Sequence, residues 1–272
     1  MNQYIPDVVR GAASARTRQA LAKPRAQFAV LRGQAAGSRK SEGNCDDAVA
    51  CADLRVGRRT VWVCAIADGA GSAEWGGEGA RLAVEAAIQA AAAERLPTVD
   101  GGRILHAVRS KLQQAAARKK GVIRQLSTTM TLVVADPTRT VVVSVGDGAM
   151  VYRTGPSEPW QVGAWPMRGE YANSTQFVTD DEIVFSQAEL PAAQAIAVMT
   201  DGLTPLTLDL ERREAFAPFF DNVAQEMQVR DVGELTPHLE ALLRSPRVTD
   251  RTDDDVTLVF AVRKGRAGAR TR

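Results

Sequence analysis

Arg58-Arg-Thr-Val-Trp-Val-Cys-Ala-Ile-Ala67, stopped at once by Asp68-Gly69, decides the fold class. The run is rich in β-branched and aromatic residues, which suit the pleated, packed surface of a sheet, and it is short and apolar enough for a buried strand. An acid and a glycine, residues that favour turns, stand at its lip. The same pattern recurs along the chain. Thr128–Ala135 and Thr140–Gly146 read as a hairpin turning at Asp136-Pro137-Thr138, and Asp147-Gly148 leads directly into Met150-Val-Tyr-Arg153. Gln27–Arg32, Asp47–Asp53, Glu182–Phe185, Ala195–Thr200 and Asp255–Val262 read as further strands. A Gly-, Ser- and Lys-rich loop at 33–44 parts the first two.

Helices are predicted in pairs. Residues 77–95 bring Ala80, Val84, Ala87, Ile88 and Ala91 to one face, with Pro97 beyond the end, and residues 102–120 do the same with Ile104, Val108, Leu112 and Ala115. Leu210–Gln228 and Val232–Leu243 form a second pair. The connections between hairpin strands are too short for parallel crossovers. The expectation is an α+β fold in four layers: an α-β-β-α sandwich of two mainly antiparallel sheets flanked by helix pairs. Residues 154–181 contain Pro, Gly and Trp without periodicity, and a loop of that length in a compact domain is usually functional or mobile.

The composition is that of a soluble domain, with 272 residues, 45% hydrophobic and 24% charged. The net charge of +2 hides an asymmetry. Residues 1–25 carry five basic side chains and one acid, and residues 263–272 carry five basic side chains and none. Of the 34 basic and 32 acidic residues in all, the body between the tails keeps 24 and 31, a charge of about −7. The expected organisation is a basic N-terminal extension (1–25), one domain (26–262) and a basic C-terminal tail (263–272). An acidic body with basic tails does not suit a nucleic-acid-binding domain; binding through the tails is the weaker idea, and it would be steeply salt-dependent. Cys45, Cys51 and Cys64 form no CxxC pair, which points to reduced thiols and a cytoplasmic setting. No run of about 18 apolar residues predicts a membrane span, and the N-terminus shows no signal-peptide core.

The aspartates carry the chemistry. Asp68, Asp147 and Asp201 each follow a strongly apolar strand, and Asp46-Asp47 and Asp253-Asp254-Asp255 each open one. A single Asp-Gly is most simply a turn, and Asp100-Gly101, Asp136-Pro137 and Asp180-Asp181 are read that way. Several carboxylates meeting at one edge of a sandwich would repel one another and raise their own pKa values, a cost that a divalent cation removes. Hard cations such as Mg²⁺ and Mn²⁺ take such oxygen ligands. Other catalytic systems are poorly served: His106 and His238 lie in predicted helices, and there is no HExxH motif, P-loop, GxSxG elbow or Rossmann fingerprint.

Taken in order, Gly43-Asn-Cys-Asp-Asp-Ala-Val49, Ala67-Asp-Gly-Ala-Gly-Ser72, Ser127-Thr-Thr-Met-Thr131, Val145-Gly-Asp-Gly148, Met199-Thr-Asp-Gly-Leu203 and Asp254-Asp-Val-Thr-Leu258 resemble the motifs of the PP2C-type, metal-dependent serine/threonine protein phosphatases. The bacterial branch, whose second motif reads Asp-Gly-Ala-Gly-Ser, is the nearest in pattern, and the resemblance spans about residues 26–262. It implies a binuclear Mg²⁺ or Mn²⁺ centre and attack on phosphorus by a metal-activated water. Asp68 would bridge the two metals and Gly69 would offer its carbonyl to one. Asp47 would hold metal-bound waters on that side, and Asp201 and Asp254 would bind the other metal. Asp147 would form a third, weaker site with Asp201. Residues 154–181 match a variable flap, and Thr128 and Thr129 a structural strand motif. The implied substrate is a phosphorylated protein, a Ser/Thr kinase or its target, acted on by a monomer.

Two positions depart from the family pattern. Glu42 stands where many members have a phosphate-gripping Arg, leaving that task to Arg39 or Lys40, and Ala70 stands where many have a His. These departures motivate the alternative reading, a catalytically weak or inactive phosphatase-like binding or sensor module.

Overall fold

Every strand pairing among the described residues is antiparallel, and ten of the strands form two five-stranded sheets. The computed structural model describes residues 27–38, 44–57, 59–94, 98–167 and 175–264. In chain order the elements are β1 (Phe28–Ala35), β2 (Ala48–Val56), β3 (Arg59–Ala67), α1 (Gly76–Ala93), α2 (Gly101–Arg118), β4 (Met130–Ala135), β5 (Arg139–Val145), β6 (Ala149–Arg153), β7 (Gln161–Ala164), β8 (Ser186–Pro191) and β9 (Ala195–Met199). There follow α3 (Thr204–Thr207), β10 (Leu208–Asp209), β11 (Glu214–Ala215), α4 (Ala217–Val229), α5 (Val232–Leu243), α6 (Pro246–Thr249) and β12 (Val256–Arg263). One sheet runs β1-β12-β9-β6-β7 and the other β2-β3-β4-β5-β8; β10 and β11 pair separately.

Strand periodicity explains the layers. Side chains alternate between the faces of a strand, and in β3 both faces are apolar. Val61, Val63, Ala65 and Ala67 join a core with Ala80, Ala83, Val84 and Ala87 of α1 and Ile104, Val108 and Leu112 of α2. Trp62, Cys64 and Ile66 point the other way, into a core between the sheets shared with Phe28, Val133, Ile196, Val198 and Val259. The second sheet mirrors this: Ala195, Ala197 and Met199 of β9 and Leu258 and Phe260 of β12 pack with Phe220 of α4 and Leu235, Leu239 and Leu243 of α5. Three stacked cores make the expected α-β-β-α sandwich, and strands buried on both sides read as the continuous apolar runs seen in the sequence.

Several boundaries differ from the sequence reading. β1 runs on to Ala35, through residues read as loop, because its register with β12 continues to Ala35↔Val256. The strand read at Glu182–Phe185 lies instead at Ser186–Pro191; β8 pairs only with β5 and alternates in exposure, so it lacks an apolar run, whereas the apolar Val184 and Phe185 are exposed. Residues 154–181 contain a strand after all, β7, a four-residue edge strand too short to show a period. The helix read from Leu210 starts at Ala217, where Pro218 sits in the first turn, and the residues before it form the β10–β11 hairpin.

Candidate metal centre

Register brings the acids together. Asp47 directly precedes β2 and Asp68 directly follows β3; because Ala48 pairs with Ala67, the two aspartates emerge side by side. Asp147 lies where the chain crosses from β5 to β6, Asp201 follows β9, and Asp254 precedes β12. Ala149 and Leu258 both pair with Met199, so these three acids leave the other sheet at one common end. Carboxylate oxygens of Asp68, Asp147 and Asp201 lie within 4.8 Å of one another. Asp254 is more exposed than these three, but its charge acts on all of them.

The main chain around Asp68 is held tightly. Thr129 donates its N–H to the Asp68 carbonyl at 2.9 Å, the Thr128 hydroxyl donates to the same carbonyl at 2.8 Å, and the Asp68 N–H donates to Thr129 Oγ1 at 3.0 Å. Gly69 lies against the first turn of α1: a Cβ there would stand 2.3 Å from the Gly76 carbonyl carbon, so only glycine fits. Gly146, just before Asp147, has φ +93°, a conformation that glycine adopts without strain.

Asp47 is braced inside the sandwich. Its Oδ2 accepts from Thr200 Oγ1 at 2.8 Å and Thr257 Oγ1 at 2.6 Å, while its buried Oδ1 has no partner. Asp147 accepts from Thr175 Oγ1 at 2.7 Å through Oδ2, and its Oδ1 is likewise buried without a partner, as is Oδ1 of Asp201. Orphaned buried carboxylate oxygens are costly, and here they cluster.

Burial and mutual repulsion make the acids hold protons. Burial, then the charges of Asp47, Asp201, Asp254 and Asp147, push the Asp68 carboxyl up to about 10. Burial, then Asp147, Asp254 and Asp47, push Asp201 to about 7. Burial raises Asp47 to about 6 against the pull of its threonine hydrogen bonds, and raises Asp147 above the usual carboxylate range. The arrangement is a negative, oxygen-only cradle of the kind that a divalent cation neutralises.

The sequence reading missed the braces. Thr200, Thr257 and Thr175 were not singled out, and Thr128 and Thr129, read as structural, clasp the backbone of Asp68 itself. Thr200 sits beside Asp201, and Thr257 lies two residues after Asp255 inside the last motif, which was the available signal. Asp255 also went unassigned; it is buried and accepts from the N–H groups of Gly37 at 2.8 Å and Asp46 at 2.6 Å, tying the first and last motifs together. Thr175 lies in the segment read as a flap, and Val178 N donates to Thr128 O at 3.0 Å, so that segment returns against the centre. Arg39, Lys40 and Glu42 lie outside the described residues. His106 and His238 sit on the outer helices α2 and α5. A cavity of about 720 Å³ opens between the β6–β7 turn, β11 and α4, but none of the five aspartates lines it.

Residues 35–244 match the profile of the family described as Protein phosphatase 2C. The chain is 34% identical over 214 residues to serine/threonine-protein phosphatase 3 of Escherichia coli (strain K12), a match covering 72% of this chain and 82% of that protein. Among solved structures, a bacterial serine phosphatase superposes with a TM-score of 0.62 at 13% identity, covering 88% of this chain and 99% of that one. The serine/threonine phosphatase Stp1 from Staphylococcus aureus gives 0.62 at 12%, covering 94% and 100%. RsbX, solved in complex with magnesium, gives 0.54 at 15%, covering 86% and 94%. At such identities these three structures show a common fold.

Proposed function

The chain belongs to the protein phosphatase 2C family, and from that footing we propose that it hydrolyses phosphoserine and phosphothreonine on proteins in a centre built from Asp47, Asp68, Asp147, Asp201 and Asp254. One observation carries the reading. Asp68, Asp147 and Asp201 present oxygens within 4.8 Å of one another, and Asp47, Asp147 and Asp201 each keep a buried oxygen with no protein partner. An all-oxygen donor set of this kind fits Mg²⁺ or Mn²⁺. In this reading Asp68 and the Gly69 carbonyl would hold one ion, with Asp47 helping to hold its waters, and Asp201 and Asp254 would hold a second alongside Asp68. Asp147 with Asp201 makes a third, weaker position. Bound there, such ions would lower the pKa of their water and offset charge on the phosphoryl oxygens.

The chain's own part is to hold that charge in place. Thr200 and Thr257 fix Asp47 through one oxygen and leave the other for the centre. Thr128 and Thr129 fix the Asp68 main chain, which sets the direction of its carboxylate. Asp68 and Asp201 would have to release their protons for a cation to bind, so affinity for it is expected to rise with pH. Arg39 or Lys40 grips the phosphate, and because Ala70 offers no acid, water protonates the leaving oxygen. The substrate is a phosphorylated protein, a Ser/Thr kinase or its target, met by a monomer in the cytoplasm. No helix among the described residues is long and apolar enough to cross a membrane.

The test is Mg²⁺- or Mn²⁺-dependent release of phosphate from p-nitrophenyl phosphate, abolished by Asp68→Ala or Asp201→Ala. Absence of turnover by folded protein across a full metal titration overturns the reading.

A further inference from the structure

Cys51 and Cys64 face each other across the β2–β3 pair, with their sulfurs 3.4 Å apart. Neither thiol is in a disulfide. The contact is set by register: β2 and β3 pair without a break from Ala48↔Ala67 to Val56↔Arg59, and Cys51↔Cys64 falls inside that ladder. Both side chains turn toward the core between the sheets, where Cys64 is fully buried and Cys51 packs at its edge. β2 is the outermost strand of its sheet, so Cys51 is the half-buried member that a small solute reaches first. Cys45 precedes β2 and has no place in the ladder. The pair stands three ladder positions inside Ala48↔Ala67, the pairing that delivers Asp47 and Asp68.

We propose that Cys51 and Cys64 form an oxidation site at which a peroxide makes an intramolecular disulfide that pins the outer strand β2 to β3. The chemistry balances in two steps. The Cys51 sulfur attacks the peroxide O–O bond, giving Cys51–SOH and one water (or alcohol). The Cys64 sulfur then attacks the Cys51 sulfur, the S–S bond forms, and the hydroxyl leaves with the Cys64 proton as a second water. The sulfurs must close only from 3.4 Å to about 2.05 Å, and neighbouring strands already hold the two Cβ atoms at close range. The contact with Cys51, together with burial, holds the Cys64 thiol protonated, so the second step is slow at neutral pH and quickens as pH rises.

The experiment treats the full chain with hydrogen peroxide under non-denaturing conditions and maps thiols by differential alkylation and peptide mass spectrometry. The expected result is a single species that has lost two hydrogens, a peptide joined through Cys51 and Cys64, reversal by dithiothreitol, and slower hydrogen exchange in Ala48–Val56 of the oxidised form. Cys45→Ser leaves the bridge intact. Cys51→Ser, a change at the half-buried position that leaves the core sulfur in place, removes it. Oxidation of Cys51 on to sulfinic acid with Cys64 still alkylatable, or a bridge through Cys45, overturns the proposal. Unchanged exchange in β2 of the bridged protein overturns the pinning. These readouts are independent of phosphate release, so they fail or hold apart from the hydrolase reading.

Discussion

The two ends of the β2–β3–β4–β5–β8 sheet treat the same residue type in opposite ways. At the end where β4 meets β5, Asp136 is buried, yet its Oδ1 accepts from Thr138 N at 2.6 Å, Thr138 Oγ1 at 2.7 Å and Arg139 N at 3.0 Å. Burial works against its charge, but those hydrogen bonds and the Arg139 guanidinium outweigh burial and hold the carboxyl below its usual range. At the other end, Asp68 sits among four further acids and is pushed up to about 10. Asp136 too keeps a buried Oδ2 without a hydrogen-bond partner, but its charged neighbours are the cations Arg139 and Arg263. The mouth gathers its open oxygens among other acids whose charges raise one another, an arrangement of the kind that a divalent cation neutralises.

The contrast breaks most visibly at Asp68. Because folded Asp68 must take up a proton at neutral pH in the absence of metal, and Asn carries no such cost, Asp68→Asn is expected to raise the metal-free melting temperature. It is expected to abolish the rise in melting temperature on adding Mn²⁺ and to cut turnover of p-nitrophenyl phosphate by more than about 100-fold, beyond what loss of an outer partner of a metal site costs. Scanning calorimetry and steady-state assays check both halves. Thr257→Val acts one layer out. It removes the 2.6 Å hydrogen bond to Asp47 and is expected to cost about 1–3 kcal/mol in chemical denaturation and to weaken metal affinity about 10–100-fold by titration.

The pH dependence separates the two ends by sign. Asp47, Asp68 and Asp201 have folded pKa values raised to about 6, 10 and 7, so the folded state binds protons that the unfolded chain has released. Their contribution is full below the unfolded carboxylate range and is lost as pH rises through 6 and 7 and on toward 10. Asp136 runs the other way: its contribution is present above the unfolded value and is lost as pH falls through its lowered one. Metal-free protein is therefore expected to melt progressively lower from weakly acidic to alkaline pH. Asp201→Asn should flatten the part of that slope near 7, as followed by circular dichroism. The smallest effect sharpens the comparison: Asp136→Asn is expected to cost about 1 kcal/mol of stability and to leave phosphate release unchanged, because its hydrogen bonds serve only the turn.

Much of this was legible in the sequence because each acid follows or precedes a strand whose apolar run is unmistakable. Val61 to Ala67 is buried on both faces, so burial reads directly as composition, and Asp68 stands out where the run stops. β7 and β8 are edge strands and escape the pattern for different reasons: β7 is four residues with a glycine and no alternation, and β8 alternates in exposure without an apolar run and ends in proline. The threonine braces were missed for a different reason. Thr200 and Thr257 act on Asp47 from 153 and 210 positions away along the chain, and no local pattern carries a contact of that span. Glycine was partly legible: Asp-Gly reads as a turn, whereas at Gly69 the constraint is the close approach of α1, which only the fold reveals.

The claim at the centre is that the acid mouth is a cation site and the turn aspartates are not. A crystal soaked in Mn²⁺, with anomalous difference density collected at the manganese edge, tests it most directly. Two strong peaks sharing Asp68 are expected, one beside the Gly69 carbonyl and the other beside Asp201 and Asp254, with none at Asp136 or Asp100. An empty map around Asp68, Asp147 and Asp201 at saturating Mn²⁺ would contradict it.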